Sequence, residues 1–403
     1  MRGRATRSAF ALSSAALLVL GVAGCSQSKP AEEQAQGNLK IVEQIQIDQD
    51  GKEIKSDATA KPADPRGDGK ATCAPVNLAM AGALTGPDAA LGINIKNGVQ
   101  LAIDQHNEAN PGCQVQLKTF DTEGDPQKAT QIAPQIVNDA FTIGLIGPAF
   151  SGETKATGTV FDQAGLVSAT ASATNVTLSE QGWKTFFRGL ANDGVQGPSV
   201  ANYMKNNLGN KKVCVVDDST DYGLGLAQAV RQTLGPVADS ACNIQVKKGD
   251  KDFSAAVNQI KGAAPDSVFY SGYYAEAAPF VQQLRDGGVT ANFVSADGTK
   301  DPEFVKQAGE ASKDAILSCP CGPATGDFAK VYKDKFGTDP GTYSTEGYDL
   351  GTIMLKGIDA GKITRPDLLD WVRTYNGQGV ARKYQWTDKG ELTNTLIWIY
   401  KVQ

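Results

Sequence analysis

From Cys73 onward, short apolar runs bounded by turn residues alternate with segments of helical periodicity. Strand-like runs fall at Val76–Ala83, Gln114–Asp121, Ile143–Ile146 and Leu166–Thr170. Between them, Ile95, Val99, Ala102 and Ile103, then Ile132, Ile136 and Val137, recur at helical spacing. Asp125-Pro126 opens the second of these helices as cap and first-turn proline. A second series of strands follows at Lys212–Asp217, Asn243–Lys247, Ser267–Tyr270, Asn292–Ala296 and Ala315–Ser318. Helical patterns at Leu224–Thr233, Phe253–Ala263 and Ala277–Arg285 separate them. Repeated βαβ units imply parallel sheets covered by helices on both faces.

About 330 residues is too many for one such sheet and suits two lobes. After Ser318 come helices at Phe328–Phe336, Thr345–Gly361 and Pro366–Tyr375, then strands around Tyr384–Thr387 and Leu396–Lys401. That tail lacks the strands for a third lobe and is expected to complete the first two. The fold class is therefore α/β with two doubly wound parallel-sheet lobes. The pattern assigns 73–192 with 318–391 to one lobe and 193–317 with 392–403 to the other.

The N-terminus fixes a compartment. Arg2, Arg4 and Arg7 precede an apolar run from Ala9 to Leu20, too short for a comfortable membrane span. The run ends in Val22-Ala23-Gly24-Cys25, which resembles the bacterial lipobox. In that signal the peptide is cut before the cysteine and its thiol is acylated. Residues 1–24 read as a signal peptide and Cys25 as the lipid attachment point on the extracytoplasmic face of the membrane. The alternative is an ordinary signal peptide with an incidental cysteine. Removing residues 1–24 takes away three arginines and no acid, so the formal charge of -5 becomes -8. An acidic chain without basic runs argues against nucleic acid as a partner.

Residues 25–72 are rich in Gln, Lys, Asp, Glu, Ala and Pro, with almost no aromatics, and read as a mostly disordered tether. Ile45 and Ile47 ahead of Asp50-Gly51, with Ile54 beyond, leave open a small hairpin. Six cysteines follow Cys25, an even number that suits disulfides in an exported chain but admits many pairings. Cys73 and Cys113 lie just before two strands expected to be parallel neighbours, and Cys214 and Cys242 bear the same relation in the second series. That leaves Cys319 with Cys321 as a tight ring. A metal site is the rival for the last pair, yet no third or fourth ligand is evident, so neither metal nor cofactor is expected.

In open parallel sheets, ligands bind beyond the carboxyl ends of strands, where backbone amides and helix N-termini face out. That rule selects Ser151 in Gly147-Pro-Ala-Phe-Ser-Gly-Glu-Thr, Ser172 and Thr174 after Thr170, Tyr273 after Tyr270, and Asp297 after Ala296. The first loops offer neutral hydroxyls and amides, suited to a carboxylate. The later ones offer an acid and aromatic faces, suited to an ammonium and its apolar neighbour. Taken singly, Ser and Thr here are also ordinary helix caps and Asp-Gly an ordinary turn.

Ala81-Gly-Ala-Leu-Thr-Gly-Pro, Phe120-Asp-Thr, Asp218-Ser-Thr-Asp-Tyr-Gly, Lys251-Asp-Phe-Ser and Ser271-Gly-Tyr occur in an order and spacing that resembles the leucine/isoleucine/valine-binding proteins of ABC importers. The resemblance covers Cys73 to the C-terminus and implies the type I periplasmic binding protein fold, two lobes joined by a multi-strand hinge. It implies a small amino acid as ligand, an ABC transporter permease as partner and a monomer. It places the α-carboxylate contacts on Ser151 and Thr174, and the α-ammonium contacts on Ser172 (through its carbonyl), Thr174 and Asp297. The side-chain pocket falls on Leu91, Phe150, Tyr222, Tyr273 and Tyr343. Asp297 stands where the longer Glu is usual, Leu91 where an aromatic is usual, and Phe150 where a small residue is usual. Those departures keep an amide, urea or an aromatic acid as alternative ligands, and a receptor subunit as an alternative role.

An enzyme finds little support. The single histidine, His106, reads as a solvated residue late in its helix, and no G-x-S-x-G elbow is present. Asp217 and Asp218 are adjacent on a strand and point to opposite sides. Gly147 to Thr154 has the spacing of a P-loop but carries Glu153 where phosphate binding needs Lys.

Overall fold

The computed structural model describes residues 39–55 and 61–403. Residues 1–24 and Cys25 lie outside the described residues. The described chain begins with an antiparallel hairpin, β1 (Ile41–Ile47) and β2 (Glu53–Ile54). The first βα series is β3 (Val76–Gly82), α1 (Ala89–Ala109), β4 (Val115–Asp121), α2 (Pro126–Asn138), β5 (Thr142–Ile146), α3 (Ser151–Gln163), β6 (Val167–Thr170) and β7 (Phe186–Arg188). The second runs α4 (Asp193–Asn206), β8 (Val213–Asp217), α5 (Asp221–Leu234), β9 (Ala238–Gln245), α6 (Ser254–Ala263) and β10 (Ser267–Ser271). It continues with α7 (Tyr274–Asp286), β11 (Asn292–Ser295), α8 (Pro302–Ala308) and β12 (Ile316–Cys319). The tail holds α9 (Gly326–Phe336), α10 (Ser344–Asp359), α11 (Arg365–Thr374), a short pair β13 (Gly377–Gln378) and β14 (Lys383–Tyr384), and β15 (Ile397–Val402).

Two sheets organise these elements. The first has strand order β4-β3-β5-β6-β7 and is wholly parallel. The second has order β2-β1-β15-β12-β11-β10-β8-β9, with a parallel core from β9 to β12 and antiparallel β15, β1 and β2 at one side. All seven residues of β3 and all five of β8 and β10 are buried, as strands covered on both faces must be. In the tail, α10 packs along α1 over the first sheet, while β15 returns to the second.

The hairpin corrects the expected tether. Residues 41–47 pair along nearly the whole of β15, and Ile47 is buried. Asp48 closes the turn by accepting from the amides of Asp50 and Lys52, each at 2.9 Å. Gly51 has φ +75°, and a Cβ there would lie 2.6 Å from the Tyr203 amide, so no larger residue fits. Residues 61–72 are held as well: Ala63 donates to Gln378 O at 2.7 Å and Ala71 to the Asn110 side chain at 2.9 Å. Of the expected tether, residues 39–55 and 61–72 are thus held against the rest of the chain, while 25–38 and 56–60 lie outside the described residues.

Disulfides join Cys73 to Cys113, Cys214 to Cys242 and Cys319 to Cys321, with Cα separations of 4.6, 5.0 and 5.0 Å. The first two staple β3–β4 and β8–β9 neighbours. His106 is not solvated, as its helix-end position suggested, but fully buried, 2.8 Å from Asp359 and 3.1 Å from the Asn107 side-chain oxygen. Together with Asp359 and Cys113 it forms a convergence of metal-type ligands, but the Cys113 sulfur is committed to Cys73.

Candidate functional site

The carboxyl ends of both parallel sheets face one another, and the residues singled out from the sequence sit there. In the first half, β5 is followed by Gly147, whose φ of +119° and 2.4 Å approach of a Cβ to Ala81 O restrict the position to glycine. The chain then turns through Pro148 and Ala149 into α3, where Phe150 N donates to Glu153 at 2.9 Å. Ser151, the first helical residue, is buried and its hydroxyl accepts from Asn175 N at 3.2 Å. The Ser172 hydroxyl donates to Ala149 O, and Thr170 bridges Pro148 O and Ala173 N at 2.9 and 3.0 Å. These bonds lock the loop after β5 to the loop after β6. Thr174 is buried, and its hydroxyl has no hydrogen-bond partner.

Beneath that loop, Arg188 is fully buried. It donates to Glu391 at 2.9 Å, to Asn175 O at 3.0 Å and to Ala173 O. The guanidinium thus fixes the backbone on both sides of Thr174 while its own charge is met by Glu391.

In the second half, Asp297 follows β11 and is buried. It accepts from Tyr222 OH at 2.9 Å and from Tyr343 OH at 2.6 Å. Burial raises its pKa, against the hydrogen bonds of Tyr343 and Tyr222 that favour the anion. Tyr222 OH also accepts from Gly298 N at 3.1 Å, which fixes both ring and loop. Tyr343 adopts φ +69°, a left-handed conformation costly for an aromatic residue and concentrated in proteins at functional positions. Tyr273 caps α7 with its ring 4.5 Å from Phe150 and 5.3 Å from Tyr222.

The structure therefore brings Asp297, Tyr222 and Tyr343 together by hydrogen bonds, and Phe150, Tyr273 and Tyr222 by ring contacts. Ser151, Ser172 and Thr174 lie in two interlocked loops. Leu91 is buried in the same apolar core on the first turn of α1, without a hydrogen bond or ring contact to the others.

Other residues escaped the sequence reading. Asp193, at the start of α4, is fully buried, and neither carboxylate oxygen has a hydrogen-bond partner. Its pKa is pushed up to about 8, by burial first and by the charge of Asp297 second. The Thr174 hydroxyl lies near enough to favour the charged form, but outside hydrogen-bonding geometry. Gln196, one turn on, donates to the Ser318 hydroxyl at 3.1 Å and leaves its oxygen without a partner. Lys248 crosses from the second half to Asp88 at 2.9 Å, and its ammonium lies 5.1 and 4.7 Å from the Phe150 and Tyr273 ring centres. Asp193 follows a strand of only three residues, too short to stand out in the sequence; a recognised β7 would have drawn the strand-end rule to it. Lys248, beside Lys247 and a glycine, looks like surface charge.

The sequence model described as "Periplasmic binding protein" matches residues 75–403. A Pseudomonas aeruginosa protein named "Leucine-, isoleucine-, valine-, threonine-, and alanine-binding protein" is 27% identical over 337 residues, 81% of this chain and 89% of that one. An "Amino acid binding protein" of the same organism is 30% identical over 328 residues, 79% of this chain and 88% of that one. The crystal structure of the branched-chain amino acid transporter substrate binding protein LivJ from Streptococcus pneumoniae, in complex with isoleucine, superposes with a TM-score of 0.75 at 26% identity. The superposition covers 81% of this chain and 95% of that one.

Proposed function

The chain belongs to the periplasmic binding protein family, and on that premise we propose that it captures Leu, Ile or Val between two lobes and delivers it to an ABC importer. The family is one of solute-binding proteins rather than enzymes. The observation that carries the choice of ligand is the buried Asp297 carboxylate, oriented by two phenols, opposite loops that offer neutral donors. An anionic group on one wall and hydroxyls and amides on the other suit a zwitterion. Ser151 and Thr174 take the α-carboxylate; the Ser172 carbonyl, Thr174 and Asp297 take the α-ammonium. Leu91, Phe150, Tyr222, Tyr273 and Tyr343 surround the side chain. The ligands of the Pseudomonas and pneumococcal relatives support this reading.

The magnitudes suffice. Charge-assisted hydrogen bonds contribute roughly 1.5–3 kcal/mol each. A micromolar dissociation constant needs only about 8 kcal/mol after the ordering costs. The first lobe comprises 73–192 with 318–391 and the second 193–317 with 392–403. The protein works on the extracytoplasmic side as a monomer, with residues 1–24 removed as a signal peptide and Cys25 carrying lipid.

One observation favours a second ligand. The contacting rings of Phe150, Tyr273 and Tyr222 would flank a small aromatic acid. An aromatic acid has no use for a buried Asp297, so one variant separates the two. Equilibrium dialysis with radiolabelled leucine should show saturable binding that Asp297→Ala weakens by about 2–5 kcal/mol, the cost of leaving a buried charge unpaired. Leucine affinity unchanged in that variant would remove Asp297 from the site.

A further inference from the structure

A row of aromatic rings leads away from Asp297 and ends at a lysine. Asp297 accepts from Tyr222 OH at 2.9 Å, the Tyr222 ring lies 5.3 Å from Tyr273, and Tyr273 lies 4.5 Å from Phe150. The Lys248 ammonium stands 4.7 and 5.1 Å from the centres of those last two rings, within reach of a cation–π contact. It is bound by Asp88 at 2.9 Å and by Gly124 O at 3.4 Å. Asp88, Gly124 and Phe150 belong to the first βα series, Lys248 and Tyr273 to the second. The end of the row is therefore complete only when the two halves meet.

This end has no slack. A Cβ on Gly124 would lie 2.8 Å from the Phe150 ring and 3.1 Å from the Lys248 ammonium, so both rest on the glycine backbone. Phe150 N is held in turn by Glu153 at 2.9 Å. Asp88 is buried, as are Glu276 and Glu153, whose charges also face Lys248. Moving Lys248 aside would leave Asp88 buried without its cation, which is costly.

We propose that Lys248, held by Asp88, is a specificity-determining residue: it forms the end wall of the side-chain pocket and limits the ligand's side chain to the depth of leucine. The proposal rests on the amino-acid reading above, which sets the ligand's ammonium at Asp297 and leaves the row of rings to its side chain. It adds to that reading a residue and a length limit. A side chain one methylene deeper must press on the packed rings or part the Lys248–Asp88 bridge as the halves close. Overfilling such a site loses more than the added methylene gains. Asp88, Gly124 O and the two ring faces take up the ammonium, so the wall presents bulk to the ligand rather than charge.

Calorimetric titration of the full chain with L-alanine, L-2-aminobutyrate, L-norvaline and L-norleucine measures the depth of the pocket. Norvaline reaches as deep as leucine, and norleucine is one methylene deeper. Affinity should rise about three- to fourfold per methylene up to norvaline, then fall about tenfold at norleucine. In the paired variant Lys248→Ser with Asp88→Asn, which leaves neither charge unmatched, norleucine should bind at least as tightly as norvaline. A weakened closure lowers affinity for every member alike, so the norleucine-to-norvaline ratio separates an end wall from a purely structural role. In the unaltered chain, nuclear Overhauser effects should link the δ-methyls of bound, isotope-labelled leucine to the Lys248 methylenes, a readout that no misfolded variant can spoil. A series that keeps tightening through norleucine would overturn the proposal and leave the amino-acid reading intact. So would a paired variant that keeps the drop, or leucine methyls that contact the Tyr273 ring but not Lys248. If neither leucine nor any member of the series binds, the amino-acid reading fails and the proposal with it.

Discussion

His106 and Asp359 come from helices 253 residues apart in sequence and meet at 2.8 Å. Burial disfavours the imidazolium, but its hydrogen bonds to the Asp359 and Asn107 oxygens and the Asp359 charge outweigh it, so the His106 pKa is raised. A raised folded-state pKa contributes stability that is full below the unfolded value, about 6.5, and lost as pH rises through the folded one. Denaturant midpoints should therefore fall as pH rises above about 6.5, and Asp359→Asn should flatten that dependence. A midpoint that rises over that window, or a slope unchanged in the variant, would contradict the pairing. Single residues were unevenly legible in the sequence. Ser151, Ser172, Thr174, Tyr273 and Asp297 each follow a strand, and a general rule about sheet ends reaches them. The burial of His106 and the lack of partners around Asp193 depend on elements that meet only in three dimensions. Periodicity carries no trace of such meetings.

At the scale of elements, the main strands and helices were readable because buried parallel strands are uninterrupted apolar runs. β3, expected at Val76–Ala83, runs Val76–Gly82, and β10, expected at Ser267–Tyr270, runs Ser267–Ser271. β7 was missed because three residues make no pattern, and β9 begins earlier than expected because its first half, Ala238–Ala241, is polar and partly exposed. The hairpin was only half legible. Ile45 and Ile47 alternate ahead of a turn, but its stability comes from β15, some 350 residues away in sequence. Deleting residues 39–55 should expose the edge of β15 and bare Ile397 and Ile399 of their neighbour. A lower melting temperature and a greater tendency to aggregate are expected. A deletion that melts like the full chain would show that the pairing contributes little.

At the scale of the molecule, the two halves touch across the cleft through polar bonds as well as the Phe150–Tyr273 ring contact. Lys155 pairs with Asp221 at 2.6 Å, Asn94 donates to Asp301 at 2.9 Å, and Asn175 donates to Asp221 O at 2.6 Å. The Lys248–Asp88 pair is more buried than Lys155–Asp221. Contacts of this kind can separate and re-form with little loss, as a protein that opens and closes requires. Small-angle scattering should show compaction when leucine saturates the chain. Asp88→Ala should favour the open form and weaken leucine by roughly tenfold, because removing one partner leaves Lys248 buried and unpaired. Equal radii with and without ligand would rule out closure. In the membrane, Cys25→Ser should free the protein into the medium or periplasm; full retention would dismiss the lipid anchor.

The central claim, that this cleft takes an amino acid, is met most directly by calorimetry on the purified chain after unfolding and refolding to strip bound solute. The panel would hold the L-amino acids, short amides, urea and small aromatic acids. Saturable binding of Leu, Ile or Val with micromolar or tighter affinity is the predicted result. Silence from all three, with an amide, urea or an aromatic acid binding instead, would contradict it.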